Sequence, residues 1–325
     1  DFAIIMREYL NILDGIFSGF DTYDYYSDDG ERQIKCLSRA MEFVQMDEDT
    51  EKRFMVAVRK LKTAYNNCTY DDSVTKEERD KVYFYTGVRS LLAKIVKGDA
   101  PDTALMNIKV REMLERAIAS DDVIQLMIAS EELDENTIDL LSENYLDRIK
   151  KIPGLNTKFK LLQRLAKVTI SSFKRTNKIK GDQFTEKFNA IVRKYNDRHF
   201  RADDLAEIID VMTALIAEVY KENTEAEGLG ISIEEKAFYD ILEHIIDEYQ
   251  FEFDKGLLTE MSKRLKECTD KTCSVLDWYD REDIKAGLQM DIALILEEFG
   301  FPPVYYTGVY QQIFSQMENY KKNTA

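Results

Sequence analysis

This 325-residue chain holds 61 Asp and Glu, too many for any one pair to stand out as a proton-transfer or metal site. It has two histidines, His199 and His244, so general acid–base chemistry would rest mainly on carboxylates or lysines. His244 follows Ile241-Leu242 and precedes Ile245-Ile246, the setting of a packing or helix-boundary residue. His199, in Asn196-Asp197-Arg198-His199-Phe200, reads as part of an interhelical turn. The cysteines are Cys36, Cys68, Cys268 and Cys273. A structural zinc site needs four ligands, and no second Cys or His pair accompanies the last two, so reduced thiols are expected. Residues 21–30 suggest a calcium loop set in a surface loop. Alignment on Gly30, however, puts Tyr25 where a carboxylate is required, which rejects that reading. There is no G-x-x-x-x-G-K-[ST] loop, no G-x-S-x-G elbow and no H-E-x-x-H pair. The acidic pairs Glu234-Glu235 and Glu297-Glu298 read as helix-terminal or solvated charges. No catalytic residue and no metal ligand is assigned.

Charge is more informative. The chain carries −16, yet residues 148–198 hold fifteen Lys and Arg against three acids. Two readings stand: a basic face for a polyanion or an acidic partner, or a helix surface neutralised by acidic neighbours in the fold. On the first reading Lys174, Arg175, Lys178 and Lys180 are the candidates for contact with a DNA backbone.

These residues must be positioned by helices. Four prolines and thirteen glycines are few breakers for this length, and no long alternating strand appears. Phe54, Val58, Leu61 and Tyr65 mark a helix over 50–67; Val82, Tyr85, Val88, Leu92 and Ile95 mark another over 76–97. A third is expected near 103–119. Phe159, Leu162, Leu165, Ala166, Thr169 and Phe173 form the stripe of a basic helix from Asn156, and Phe184, Phe188, Ile191 and Tyr195 that of the next. Asp203 or Asp204 would cap a helix burying Leu205, Ile208, Met212, Leu215 and Val219. Residues 224–230 read as a linker. Ser232 and Glu235 have capping-box spacing and open a helix that buries Phe238, Ile241, Leu242 and Ile245.

Near the end, Asp280 or Asp283 would cap a helix whose stripe is Ile284, Leu288, Ile292, Ile295 and Phe299. Gly300 sits where a left-handed residue would end it, and Pro302 forbids resumption. Trp278, the single tryptophan, reads as a packing anchor or, with Tyr279, as a docking contact, since tryptophan is enriched in interface hot spots.

With 44% hydrophobic and 33% charged residues the chain reads as a soluble globular protein. No apolar run approaches a membrane span, so no membrane partner is expected. It begins at Asp1, as an excised fragment would. The expected fold is all-α: a multi-helix array in two packed helical parts, residues 1–145 and 146–325, with little or no sheet.

Four phrases, in order, resemble the C-terminal helical region of the restriction (motor) subunit of type I restriction–modification enzymes. They are Asp121-Asp122-Val123-Ile124-Gln125-Leu126-Met127; the segment from Asn156 through Phe173-Lys174-Arg175-Thr176-Asn177 to Tyr195-Asn196; residues 228–242 ending in Ala237-Phe238-Tyr239-Asp240-Ile241-Leu242; and Asp277-Trp278 through Phe299-Gly300-Phe301-Pro302-Pro303. The likeness is best from about residue 120 onward. It implies a non-catalytic part of an ATP-driven DNA translocase and endonuclease. ATP and Mg2+ would serve the parent subunit and no cofactor this part. The implied partners are the upstream motor domains of the same subunit, the modification–specificity core and double-stranded DNA, in the cytoplasm. The alternative is a generic helical scaffold with no DNA role.

Overall fold

The computed structural model describes residues 2–97, 143–197, 202–272, 278, 281–301 and 307–324. Among these there are twelve α-helices, one 3-10 turn and no strand. The helices are α1 (Phe2–Ile16), α2 (Gly30–Val44), α3 (Glu48–Asn66), α4 (Lys76–Lys97), α5 (Glu143–Lys150), α6 (Leu155–Thr176), α7 (Lys178–Asn196), α8 (Ala202–Leu229), α9 (Ile233–Tyr249), α10 (Lys255–Thr272), α11 (Glu282–Glu298) and α12 (Thr307–Thr324). The all-α expectation is met. No helix among the described residues is long and apolar enough to cross a membrane. The helix expected near 103–119, the phrase 121–127, His199, Cys273, Tyr279, Asp280 and Pro302-Pro303 lie outside the described residues.

The chain forms two compact units, residues 1–165 with 192–212, and residues 166–191 with 213–325. In the first, α1 lies along α3 and touches α4, and α2 packs on α4. Apolar residues at steps of three and four supply the core: Met6, Leu10 and Leu13 of α1, Leu37 and Met41 of α2, Phe54, Val58 and Leu61 of α3, and Val88, Leu91 and Leu92 of α4. The Phe17 ring meets those of Phe43, Phe54, Phe84 and Tyr85 edge-on or tilted, with centroids 5.3–5.7 Å apart. The tract 21–30 is not wholly a surface loop. It contains the 3-10 turn Tyr23–Tyr26, which drives Tyr25 into the aromatic cluster at 5% exposure. Asp29 then caps α2, accepting from the N–H groups of Glu31 and Arg32.

In the second unit α9 packs on α10 and α12, and α10 on α11. Phe238, Leu242, Ile245, Met261, Leu265, Leu288, Ile292, Leu296, Phe301, Ile313 and Met317 form its core. The Ser232 capping box is present: Ser232 N–H donates to Glu235 Oε2 at 2.8 Å and Glu235 N–H to Ser232 Oγ at 3.2 Å. The α11 stripe is buried at Leu288, Ile292 and Ile295, with Ile284 and Phe299 packed at its margin. At its end Gly300 has φ +66°, Gly300 N–H donates to Glu297 O at 3.0 Å and Phe301 N–H to Leu296 O at 2.8 Å. Those two bonds satisfy carbonyls that have no partner in the last turn, and Phe301 and Leu296 meet in the core.

Three local expectations need correction. Residues 224–229 are the last turns of α8, not a linker; glutamate and alanine favour helix, and one glycine at 228 does not outweigh them. Asp203 and Asp204 lie inside α8, which already begins at Ala202, so neither is the residue that precedes the helix. The N-cap of α11 is Arg281, with no side-chain cap; Asp283 instead accepts from the Arg281 guanidinium at 2.6 Å.

Candidate functional site

The basic helices α6 and α7 meet at a corner whose single linking residue is Asn177. A helix end leaves backbone carbonyls without partners, and the start of the next leaves N–H groups likewise. Here α12 meets three of the carbonyls and one N–H group. Asn319 Nδ2 donates to the carbonyls of Lys174 and Arg175, at 2.8 and 2.9 Å. Gln316 Nε2 donates to the Thr176 carbonyl at 2.6 Å, and its Oε1 accepts from Lys178 N–H at 2.9 Å. Asn177 caps α7 by accepting from Lys180 N–H at 3.2 Å, and its Nδ2 donates to Asp240 Oδ2 of α9 at 2.6 Å. Asn177, Gln316 and Asp240 are all buried. Gly181 lets the two basic helices close on one another: a Cβ there would stand 2.7 Å from the Lys174 Cα.

Around this corner runs a four-charge network. Lys180 Nζ donates to Glu222 Oε1 of α8 at 2.5 Å and lies 3.7 Å from Asp240 Oδ1. Lys236 Nζ donates to Asp240 Oδ1 and to Glu222 Oε2, the latter at 3.3 Å. Burial pushes the Glu222 carboxyl up, but the hydrogen bond and charge of Lys180, with Lys236 behind it, outweigh burial and hold it below its usual range. At Lys236 burial works against the charge, and Asp240 and Glu222 overcome it, so the ammonium is held above its ordinary value. At Asp240 burial prevails and raises the carboxyl despite Lys236 and Lys180.

The structure thus brings Lys174, Lys178 and Lys180 together at one corner with Arg175. Lys174 pairs with Asp182, Lys178 donates to Ser315 Oγ, and Lys180 belongs to the network. Arg175 is exposed in the last turn of α6. Further along, Lys187 pairs with Glu218 at 2.7 Å, and Lys160 lies 3.6 Å from Glu51 and over the Tyr195 ring. A good part of the segment's positive charge is therefore met by acids of α3, α8 and α9. Lys151, Lys167, Arg193 and Lys194 are exposed, as Arg175 is. Trp278 is 5% exposed within the second unit's core. His244 lies mid-helix on α9, with Nε2 3.9 Å from Glu248 Oε2. Cys36 and Cys68 are buried free thiols, and Cys268 a half-buried one.

A second polar anchor, which the sequence reading did not single out, holds the start of α6. Glu42 of α2 accepts from the N–H groups of Asn156 and Thr157, at 2.7 and 3.0 Å, and from their side chains. A carboxylate here meets both the unpartnered donors and the positive end of the helix dipole. Asn156 Oδ1 accepts from Tyr195 Oη at 3.0 Å, and the Tyr195 ring stacks on Phe159 at 3.8 Å. Gln316 left a trace in sequence, as an amide inside the apolar stripe Val309, Ile313, Met317 and Tyr320; Glu42 and Gly181 left none.

Residues 1–323 match the family described as type I restriction enzyme HindI endonuclease subunit-like, C-terminal. The chain belongs to this family. A type I restriction enzyme HindI endonuclease subunit from Haemophilus influenzae is 23% identical over 79% of this chain and 24% of its own length. A putative type I restriction enzyme MjaIXP endonuclease subunit from Methanocaldococcus jannaschii is 20% identical over 99% of this chain and 30% of its own length. The chain thus spans a quarter to a third of these relatives. No solved structure gives a significant match. Residues of two of the phrases behind the resemblance have structural roles: Asn156 and Tyr195 bond to each other, and Asp240 is the hub of the buried network.

Proposed function

We propose that this region is the assembly and coupling module of a type I restriction endonuclease subunit and performs no chemistry of its own. The observation that carries the proposal is the match of residues 1–323 to the C-terminal region of such subunits. The geometry is in keeping with it: the acid–base groups clustered at the α6–α7 corner hold helix ends and one another in place. On this proposal the region packs on the motor domains of the same subunit and docks it onto the modification–specificity core, in the cytoplasm. ATP and Mg2+ would act in the motor domains. Among the described residues no three His, Cys, Asp or Glu converge as a metal site. ATP hydrolysis or DNA cleavage by the purified chain would overturn the proposal.

DNA contact is its second part. Double-stranded DNA would be met through phosphates at the basic corner, with exposed Arg175 foremost and Lys174 and Lys178 beside it. Lys180 is the poorest of the four, because leaving Glu222 and Asp240 would leave two carboxylates to share Lys236 alone. Each phosphate contact releases counterions, so Arg175→Ala should lower the slope of log affinity against log salt by about 0.9. Binding unchanged by Arg175→Ala together with Lys174→Ala would remove the basic corner as the contact, and no DNA binding at low salt would favour the generic scaffold without a DNA role.

A further inference from the structure

Residues 52–70 hold Lys52, Arg53, Arg59, Lys60 and Lys62 and no acid. Most of this stretch is α3. Its Phe54, Ala57, Val58 and Leu61 enter the core, which turns Arg53, Val56, Arg59, Lys60 and Thr63 outward. The acids of α3 are confined to its first turn, Glu48, Asp49 and Glu51. Glu48 holds Lys52 at 2.7 Å, and Glu51 lies 3.6 Å from Lys160. Among the described residues no carboxylate pairs with Arg53, Arg59 or Lys60. Arg89 of α4 adds a fourth cation. The two helices pack together, and Tyr65 Oη and Tyr83 Oη stand 3.0 Å apart. Six residues back from Tyr65 is Arg59, and six on from Tyr83 is Arg89, so helices running in opposite directions bring the two guanidiniums to one level. Arg89 is half-buried, and its Nε has no hydrogen-bond partner. Burial, with the Arg59 charge beside it, holds the guanidinium below its ordinary value.

We propose that Arg53, Arg59, Lys60 and Arg89 form a binding surface for the phosphate backbone of a nucleic-acid duplex. The surface is separate from the α6–α7 corner and does not depend on it. There, lysines are met by acids of neighbouring helices; here the cations stand uncompensated. Arg53 and Lys60 are seven residues apart, two turns or about 10.5 Å along one line of α3. That length of duplex axis carries roughly six phosphate charges, a density that suits cations repeated along a helix. Guanidinium forks match phosphate oxygens bidentately, and an anion beside Arg89 would partner its Nε and offset the repulsion from Arg59. Single strands are held by stacking on exposed aromatic rings, whereas the aromatic residue of the outward turns, Phe54, is fully buried. Contacts of this kind position a duplex and do not read its sequence.

Fluorescence anisotropy of a short labelled DNA duplex with the 325-residue chain, over a salt series, tests the surface. Arg53→Gln, Arg59→Gln and Lys60→Gln are combined in one variant. All three side chains are exposed, so the helix is kept, and far-UV circular dichroism checks that it is. The expected result is binding roughly tenfold weaker at low salt, with the slope of log affinity against log salt shallower by about 2.7, three contacts at about 0.9 each. Unchanged affinity and slope would overturn the proposal. So would an equal loss in a control carrying Lys255→Gln, Lys263→Gln and Arg264→Gln, which removes the same charge from exposed positions on α10. Adding Arg89→Gln to the triple variant should take off about 0.9 more, and no further change would remove Arg89 from the surface. Poly-L-glutamate displacing the duplex as well as unlabelled duplex does, at equal charge, would overturn it in favour of an acidic protein partner. Arg175→Ala measured in parallel separates the two sites: weakening there with none in the triple variant overturns this surface and leaves the corner.

Discussion

Asp240 has a side chain with no solvent exposure and three donors around it: Lys236, Lys180 and the Asn177 amide. Replacing it by Asn keeps the shape and removes the charge, leaving Lys236 with Glu222 as its remaining carboxylate. Breaking one member of a buried ionic cluster costs about 3 kcal/mol. Asp240→Asn should therefore lower stability by that order, read as a fall in the urea midpoint with unchanged slope. Glu222 gives the pH dependence. Its folded pKa is held below the unfolded value, so its contribution is complete above the ordinary carboxylate range and is lost as pH falls through the folded value. Glu222→Gln should be clearly less stable than the parent near pH 7. The gap should narrow as pH is lowered toward about 3. A gap that is constant with pH would show that the carboxylate's charge is not what matters. Asp240 acts in the opposite sense, since its carboxyl is raised, and blunts the acid transition of the whole chain. Lys178 bonds with Gln316, 138 residues away, and Asn177 with Asp240, 63 away. Such partners leave no local pattern, so the charge excess of residues 148–198 was legible while its neutralisation was not.

At the scale of the helix the legible features were the local ones. The stripes of α3, α6, α9 and α11, the Ser232 capping box and the Gly300 stop all depend on residues within one or two turns. The misread tract at 224–230 shows the limit: two glycines beside glutamates suggested a linker, whereas α8 continues to Leu229 and turns at Gly230, with Ile231 N–H donating to Ala226 O at 3.1 Å. The glycines then separate into two kinds. A Cβ at Gly181 would meet the Lys174 Cβ at 2.6 Å and its Cα at 2.7 Å, so Gly181→Ala must push α6 and α7 apart. A cost of about 1–3 kcal/mol is expected, as for other overpacked sites. A Cβ at Gly228 meets nothing within 4 Å, so Gly228→Ala should stabilise by about 0.4–1 kcal/mol through the unfolded chain. Thermal melts of the two variants should move in opposite directions. Ser232→Ala, which removes one half of the capping box, should cost about 1 kcal/mol.

For the molecule as a whole, each compact unit has its own apolar core, and each contains one polar anchor on the basic helices: Glu42 at the start of α6 and the Asn177 corner at its end. Trp278 belongs to the second core, so Trp278→Ala should unfold that unit by about 3–5 kcal/mol before it reports on any docking contact. A docking assay on that variant therefore needs far-UV circular dichroism beside it. Two of the short phrases that made the family legible hold the anchors: Asn156 with Tyr195, and Asp240 with its two lysines. The central claim is that this region joins a restriction subunit to its assembly. The most direct measurement is co-purification of the tagged 325-residue chain with the modification–specificity core, followed by size-exclusion chromatography. The account predicts a stable complex that survives the column; a chain that elutes alone, under conditions in which the intact subunit binds the core, would contradict it.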